Sequence, residues 1–385
     1  MTSSSPDGSV PEFARLTDLA SRALGGSVVA ANDEFFAERE NLIKPGPAVF
    51  QTYTFGHKGQ VYDGWETRRR REPGVDWAVV RLGLPGVVRG VVVDTAFFKG
   101  NYPPEISVQG AVLDGYPSPE EVGAAEWFEL VPQSPVAGDA ANPFAVDGGR
   151  LATHVRLCMH PDGGVARFRV HGEPVPDPRF LLSGTLDLAA TENGGRVVGA
   201  SNEFYSSPSA LLAPGLARVM GEGWETARRR DDGNDWVEFA LAGPGTVRMA
   251  ELDTSHFLGN APGWASLRGR DERAGGDWVD LLPRQRLQPD TRHRFRLVAD
   301  PEVTHVRMDV FPDGGMARVR LWGDLTGSGR LALAARWFDL LPAGAAVALL
   351  TGEYGVPADE ATAVVGTRPL GDGARLPDVL KAALG

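Results

Sequence analysis

Residues 64–77 read GWETRRRREPGVDW, and residues 223–236 read GWETARRRDDGNDW. Ten of these fourteen positions are identical, and the second block lies 159 positions after the first. The same offset carries Asp94-Thr95 onto Asp253-Thr254, Phe98 onto Phe257, and Gly100-Asn101 onto Gly259-Asn260. Further on, THVRLCMHPDGGVARFRVHGE (153–173) returns as THVRMDVFPDGGMARVRLWGD (304–324) at an offset of 151, so the first copy carries eight more residues between Gly110 and Thr153. Upstream, ANDEFF (31–36) matches ASNEFY (200–205), with extra residues in the first copy before its GWET. Length differences between matched blocks belong to loops. The chain is a tandem duplication, and a repeat of this size decides the architecture.

The expected limits are a flexible start at 1–14, a first repeat at 15–178, a second at 185–327 and a tail at 331–385. PVPDPRF, with three prolines, marks the seam near 174–185. The tail has no partner in the first copy. Its stretches 331–350 (LALAARWFDLLPAGAAVALL) and 373–385 (GARLPDVLKAALG) have the Ala/Leu spacing of helices.

Within each copy the apolar runs are short and bounded by Gly or Pro. Trp77–Leu82, Gly90–Asp94 and Ile106–Gln109 are rich in β-branched residues, as strands are. Val165–Val170 and Met316–Leu321 alternate apolar and basic residues, as half-buried strands do. Pro161-Asp-Gly-Gly and Pro312-Asp-Gly-Gly are turn signals between strand runs. The fold class read from this pattern is all-β: two tandem jelly-roll sandwiches with a short C-terminal helical extension. The order Asp63-Gly64, a Trp/Thr segment, a gap, Asp76-Trp77 and a strand ending at Leu82-Gly83 resembles galactose-binding-like jelly rolls.

Composition narrows the function classes. The 385 residues suit two domains, and 48 glycines with 29 prolines favour strands and turns. A net charge of −11 provides no positive field for nucleic acid or an anionic membrane. The run Arg68–Arg71 therefore serves something local. One cysteine, Cys158, rules out an intrachain disulfide framework and fits a reducing compartment. The start MTSSSPDGSVPEF lacks the features of a signal peptide, and no long uncharged apolar stretch occurs, so a cytoplasmic protein is expected.

Three clusters could carry chemistry. Trp65, Glu66, Thr67 and Arg69 (with Glu225 and Arg228 in the second copy) combine an aromatic, a carboxylate and guanidinium groups, which can bind a carboxylic acid bidentately. The same residues also suit an ordinary loop with Trp65 as a plug. Asp94, Lys99 and Asn101 (with Asp253, His256 and Asn260) sit where an apolar strand ends. They read either as an Asx turn or as a site that hydrogen-bonds an amide-like group. His154 and Arg156 (with His305 and Arg307) are two apart on a strand and share a face, which is either solvated or turned toward a site. The seven histidines lack metal-ligand spacing, so no zinc cage and no other cofactor is expected, and activation by a divalent metal stays open. No Gly-x-Ser-x-Gly elbow, Walker loop or dinucleotide fingerprint occurs.

The strings NDEFFAERENLIKPG (32–46), DGWETRRRR (63–71), DWAVVRLG (76–83), VVVDTAFFKGNYP (91–103) and THVRL (153–157) together resemble the allantoicase family in order, spacing and duplication, over about residues 25–325. The resemblance implies two jelly-roll domains, hydrolysis of the small molecule allantoate to ureidoglycolate and urea in purine-nitrogen recovery, and a homo-oligomer. Such a substrate needs cations for its carboxylate and polar groups for its ureido arms. On that reading Arg69 and Arg156 hold the carboxylate, while Asn101, Lys99 and Thr67 orient the arms. Glu66, Asp94 and His154 are the acid–base candidates, with Glu225, Asp253, His256 and His305 as second-copy counterparts. The copies differ at Lys99/Leu258 and at Tyr102-Pro-Pro-Glu105/Ala261-Pro-Gly-Trp264, so the two potential sites are not equivalent: either one copy binds substrate while the other mainly supports it, or both line one cleft. The reading from another class is a tandem carbohydrate- or ligand-binding module without catalysis; a third is a duplicated structural protein assembled through its tail.

Overall fold

The computed structural model describes residues 11–384 apart from 182–183, 299 and 372. The expected flexible residues 1–10 lie outside the described residues. Glu12–Arg15 form a 3-10 turn, and Phe13 packs near His171 with ring centroids 6.1 Å apart.

Each repeat is organised by one unusually long strand, Asp76–Asp94 in the first and Asp235–Asp253 in the second, each of 19 residues. The sequence reading divides the first into two strands at Leu82-Gly83, whereas the chain continues and changes layer there. Residues 76–81 pair with Ser27–Ala31 on one side and residues 154–159 of Leu151–His160 on the other. Residues 86–94 pair with Arg167–Pro174 and Ala141–Ala145. A strand that bends across a corner joins two packed layers. Glu105–Ala111 and Phe128–Pro135 extend the first layer, and Thr17–Asp18 extends the second. All these pairings are antiparallel, and the second repeat has the same topology.

The corner is made of glycine because backbone passes close by. A Cβ on Gly83 would lie 2.4 Å from the Leu24 carbonyl oxygen, and one on Gly86 would lie 2.4 Å from that of Glu173. The counterpart of Gly86, Gly245, meets the same obstacle at Asp324.

Side chains alternate about the pleat as the sequence requires: in Glu105–Ala111 the residues Ile106, Val108 and Gly110 point inward. Trp65, Val91, Val93, Ile106, Val108, Val155, Leu157, Met159, Phe168 and Val170 belong to one core. Trp224, Phe239, Leu252, Leu267, Val306, Met308, Val319 and Leu321 belong to the other. One basic member of Arg167–Pro174 departs from the half-solvated expectation, while Arg169 keeps it. Arg167 is buried, because residues 45–63 cover its face of the sheet. Its guanidinium donates to the carbonyls of Gly46, Pro47 and Asp63 and pairs with the Asp63 carboxylate at 2.7 Å. Fully hydrogen-bonded pairing is what makes a buried charge tolerable.

The chain divides into two compact units, Met1–Val175 with Leu340–Ala348, and Pro176–Asp339 with Leu349–Gly385. The C-terminal region is helical over Gly327–Leu340, Ala343–Gly352, Ala358–Gly366 and Asp378–Leu384. Pro342 separates the first two, since proline cannot donate within a helix. Among the described residues no helix is long and apolar enough to cross a membrane.

Gly86→Ala is expected to destabilise the first repeat by about 1–3 kcal/mol, because the added methyl must displace backbone. The check is the midpoint of urea unfolding followed by far-UV circular dichroism; an unchanged midpoint would show that the corner has slack.

Candidate functional site

Both ends of the long strand return to one rim. Asp76 N donates to the Pro161 carbonyl at 2.9 Å, and Ala166 N donates to that of Asp94 at 2.7 Å. The short PDGG turn, 161–164, therefore sits between the segment leading into Asp76 and the segment leaving Asp94. Thr67 N donates to Gly163 O at 3.1 Å and Gly164 N to Asn101 O at 2.7 Å, which fastens both flanking segments to that turn. Gly163 has φ 147°, and a Cβ there would lie 2.5 Å from Pro103 N, so only glycine lets the strands approach.

A cavity of about 550 Å³ opens at this junction, lined by Phe36, Glu66, Thr67, Arg69, Gly100, Asn101, Tyr102, Pro104, Pro161, Asp162 and Gly163. Glu66 is the buried acid within it. Its Oε1 accepts from Asn101 Nδ2 at 2.6 Å, while Oε2 is buried with no hydrogen-bond partner among the described residues. Burial pushes the Glu66 carboxyl above its ordinary range, and the Asn101 hydrogen bond opposes only part of that shift. Arg69 is exposed at the cavity edge, and its guanidinium makes no hydrogen bond or ion pair among the described residues. Its neighbours are committed elsewhere: Arg68 pairs with Asp33 at 2.7 Å and Arg70 with Asp76 at 2.6 Å. The site thus presents a free guanidinium, a buried carboxyl with an unused oxygen, and an amide.

The other expected residues have different surroundings. Trp65 is fully buried in the core, its Nε1 donating to Asp33 O at 2.8 Å, so it positions the Glu66 segment from behind. Thr67 is buried, with Oγ1 3.4 Å from Gly163 O and 3.3 Å from Gly163 N. Asp94 Oδ1 accepts from Ala96 N at 2.8 Å and caps its own turn, as the Asx reading has it. Lys99 is solvent-exposed and lies 3.7 Å from Asp139.

His154 and Arg156 do share a face, but they are not at this rim. The cavity end of their strand is His160, six residues beyond His154 or roughly 20 Å at 3.3 Å per residue. His154 is buried and bonded to Thr153 Oγ1 at 2.9 Å through Nδ1, and burial with the nearby Arg81 charge lowers its pKa to about 4. Arg156 donates to Gln109 Oε1 at 2.8 Å and lies over the Trp127 ring at 4.5 Å. His305 is placed likewise, with Nδ1 2.9 Å from Thr304 Oγ1 and Nε2 3.1 Å from Glu272.

In the second copy Asn260 Nδ2 donates to Glu225 Oε1 at 2.6 Å, and Arg228 is exposed with no partner for its guanidinium among the described residues. Asp253 caps Ser255 N at 2.8 Å, and His256 turns Nε2 to the Ala217 carbonyl at 2.9 Å. Among the described residues no group of three or more His, Cys, Asp or Glu side chains could hold a metal ion.

The family model described as the allantoicase repeat matches residues 17–175 and 186–326. This chain belongs to the allantoicase family. A probable allantoicase of Nocardia farcinica is 60% identical over 318 residues, which cover 82% of this chain and 96% of that one. A probable allantoicase of Streptomyces coelicolor is 54% identical over 341 residues, covering 85% and 90%. The crystal structure of allantoicase from Saccharomyces cerevisiae superimposes with a TM-score of 0.68 at 32% identity, covering 80% of this chain and 93% of that chain. The resemblance drawn from the five strings is thus the family found.

Within this allantoicase-family fold, the sequence reading missed Phe36, Tyr102, Pro104 and Asp162 as cavity residues. Their signal was available in part: Phe36 ends the duplicated ANDEFF block, and Asp162 belongs to the duplicated PDGG turn. Asp162 Oδ2 accepts from Arg70 N at 2.8 Å, and Asp313 does the same for Arg229 N.

A folded-state pKa lowered to about 4 in His154 makes the unfolded chain the better proton acceptor below the ordinary value of 6.5. This stabilising preference for neutral histidine is present above that pH and is lost as pH falls toward 4, by roughly 3 kcal/mol. His154→Gln is expected to narrow the stability gap between pH 7 and pH 4.5 relative to wild type in urea unfolding. An identical gap in both proteins would mean that His154 titrates normally.

Proposed function

We propose that this chain hydrolyses allantoate to (S)-ureidoglycolate and urea, as a hydrolase of linear amidine-type C–N bonds in allantoin degradation, and that the first-repeat cavity is where it does so. The observation that carries the reading is Glu66, a buried carboxyl with one oxygen held by Asn101 and the other unclaimed, beside the unpaired Arg69. Membership of the allantoicase family supports the substrate.

Allantoate carries one carboxylate and two ureido groups on a single carbon. Hydrolysis exchanges one C–N bond for a C–O bond: water supplies hydroxyl to the carbon and a proton to the departing urea nitrogen. Arg69 is the cation for the substrate carboxylate, because a guanidinium matches a carboxylate bidentately. Asn101, with one amide N–H spent on Glu66, keeps its carbonyl for a ureido N–H, and Asp162 offers another acceptor at the cavity wall. Glu66 takes the proton from water and passes it to the departing urea nitrogen. Its raised pKa makes it a stronger base than an ordinary carboxylate once it is ionised. Trp65, Thr67 and Gly163 set the position of Glu66, and Asp94 sets the turn that leads to Asn101. His154, Arg156 and His305 have no part in the scheme. The same reading places a homo-oligomer in the cytoplasm, in keeping with a single buried, free cysteine.

Purified protein incubated with allantoate should release urea, and glycan binding without urea release would favour the binding-module reading instead. Arg69→Ala is expected to raise KM about 10–100-fold, the loss of a charge-assisted hydrogen bond of about 1.5–3 kcal/mol. Glu66→Gln keeps the shape and the Asn101 bond and should lower kcat by at least about 100-fold. Because burial disfavours the Glu66 carboxylate in the folded state, its ionisation costs stability as pH rises through the raised pKa. The Gln variant should therefore have a Tm at pH 7 no lower than wild type. The wild-type rate should climb with pH until Glu66 is ionised. Full activity in Glu66→Gln would remove it from the mechanism.

A further inference from the structure

We infer that the second repeat holds a binding site for the same class of ligand, a ureido-substituted carboxylate, which it retains without cleaving. The inference rests on the reading of the first-repeat cavity as the allantoate site.

The two rims share several bonds. The acid–amide pair Glu225–Asn260 has the same 2.6 Å length as Glu66–Asn101. Gly315 N donates to Asn260 O at 2.8 Å where Gly164 N donates to Asn101 O at 2.7 Å. Thr226 Oγ1 lies 3.4 Å from Gly314 O, as Thr67 Oγ1 does from Gly163 O. Asp313 accepts from Arg229 N at 2.8 Å, as Asp162 does from Arg70 N. The fold explains the bonds that fasten loops together. The fold also brings Arg228 to the position of Arg69, exposed and likewise without a partner for its guanidinium among the described residues. A carboxylate ligand satisfies that guanidinium, and the free carbonyl of Asn260 accepts from a ureido N–H.

What differs is the machinery for breaking a bond. Glu66 is buried with one oxygen unpartnered, whereas Glu225 is only half-buried. Tyr102 on the cavity wall is replaced by Ala261, and exposed Lys99 by Leu258, so the second rim has lost polar groups while keeping Arg228 and the Glu225–Asn260 pair.

The test is isothermal titration of allantoate into the full-length Glu66→Gln protein at pH 7, paired with urea release by the same variant. Two ligands per chain are expected, and Arg228→Ala added to this variant should weaken one of them at least about tenfold. A single site that persists unchanged after Arg228→Ala overturns the inference and leaves the first-site reading standing. So does an absence of binding to the variant when wild type releases urea. Retention of about half the wild-type urea release by Glu66→Gln would show that the second site cleaves, which also overturns it. Absence of urea release from wild type defeats the functional reading itself. Should Glu66→Gln fail to fold, Arg69→Ala takes its place: one tight site is expected there, and it should be lost in Arg69→Ala/Arg228→Ala.

Discussion

The constraint on which the rest depends is a strand that serves two layers. Asp76–Asp94 turns the corner at Gly83–Gly86, so its two ends meet at the same rim, on either side of residues 161–166. Backbone bonds from Asp76 to Pro161 and from Ala166 to Asp94 close this arrangement. The corner glycines and Gly163 are the positions where no side chain fits. Three segments that are far apart in sequence, at 64–71, 94–104 and 161–165, are thereby held within hydrogen-bonding range of one another.

That convergence explains the electrostatics of the site. Asn101 donates to Glu66, and Gly164 N anchors the Asn101 backbone beside it. The carboxyl then lies in a partly desolvated wall, supported from behind by buried Trp65 and Thr67. Of the four consecutive arginines, Arg68 and Arg70 are spent on structure, pairing with Asp33 and Asp76, while Arg69 lines the cavity and Arg71 is exposed. The basic run in an acidic protein is thus a local device: two of its members hold the loop and one lines the cavity.

The duplicated architecture repeats one backbone frame with different side chains at its rim. Both repeats preserve the acid–amide pair and the loop fastenings to within a few tenths of an ångström. They diverge at the side chains that line the rim, Tyr102/Ala261 and Lys99/Leu258, and in how far the carboxylate is withdrawn from water. The backbone frame tolerates such changes because its bonds do not involve those side chains.

The sequence by itself determined the duplication, the sandwich class and the family, because repeated strings and period-two burial are local patterns that survive without knowledge of contacts. It also placed Glu66, Arg69 and Asn101 in the pool of site residues, since a carboxylate, a guanidinium and an amide in matching spacing between two copies are visible as residue types. Only the tertiary structure decided which members of that pool meet. His154 and Arg156 share a face as their spacing requires, yet they stand at the far end of their strand from the PDGG turn, and spacing carries no information about which end of a strand holds the cavity. Asp94 and Trp65 lie beside the site and are used up in a turn and a core. Whether a polar side chain is free for a ligand depends on which partners the fold brings to it, and that is a property of long-range packing that no local stretch of sequence contains.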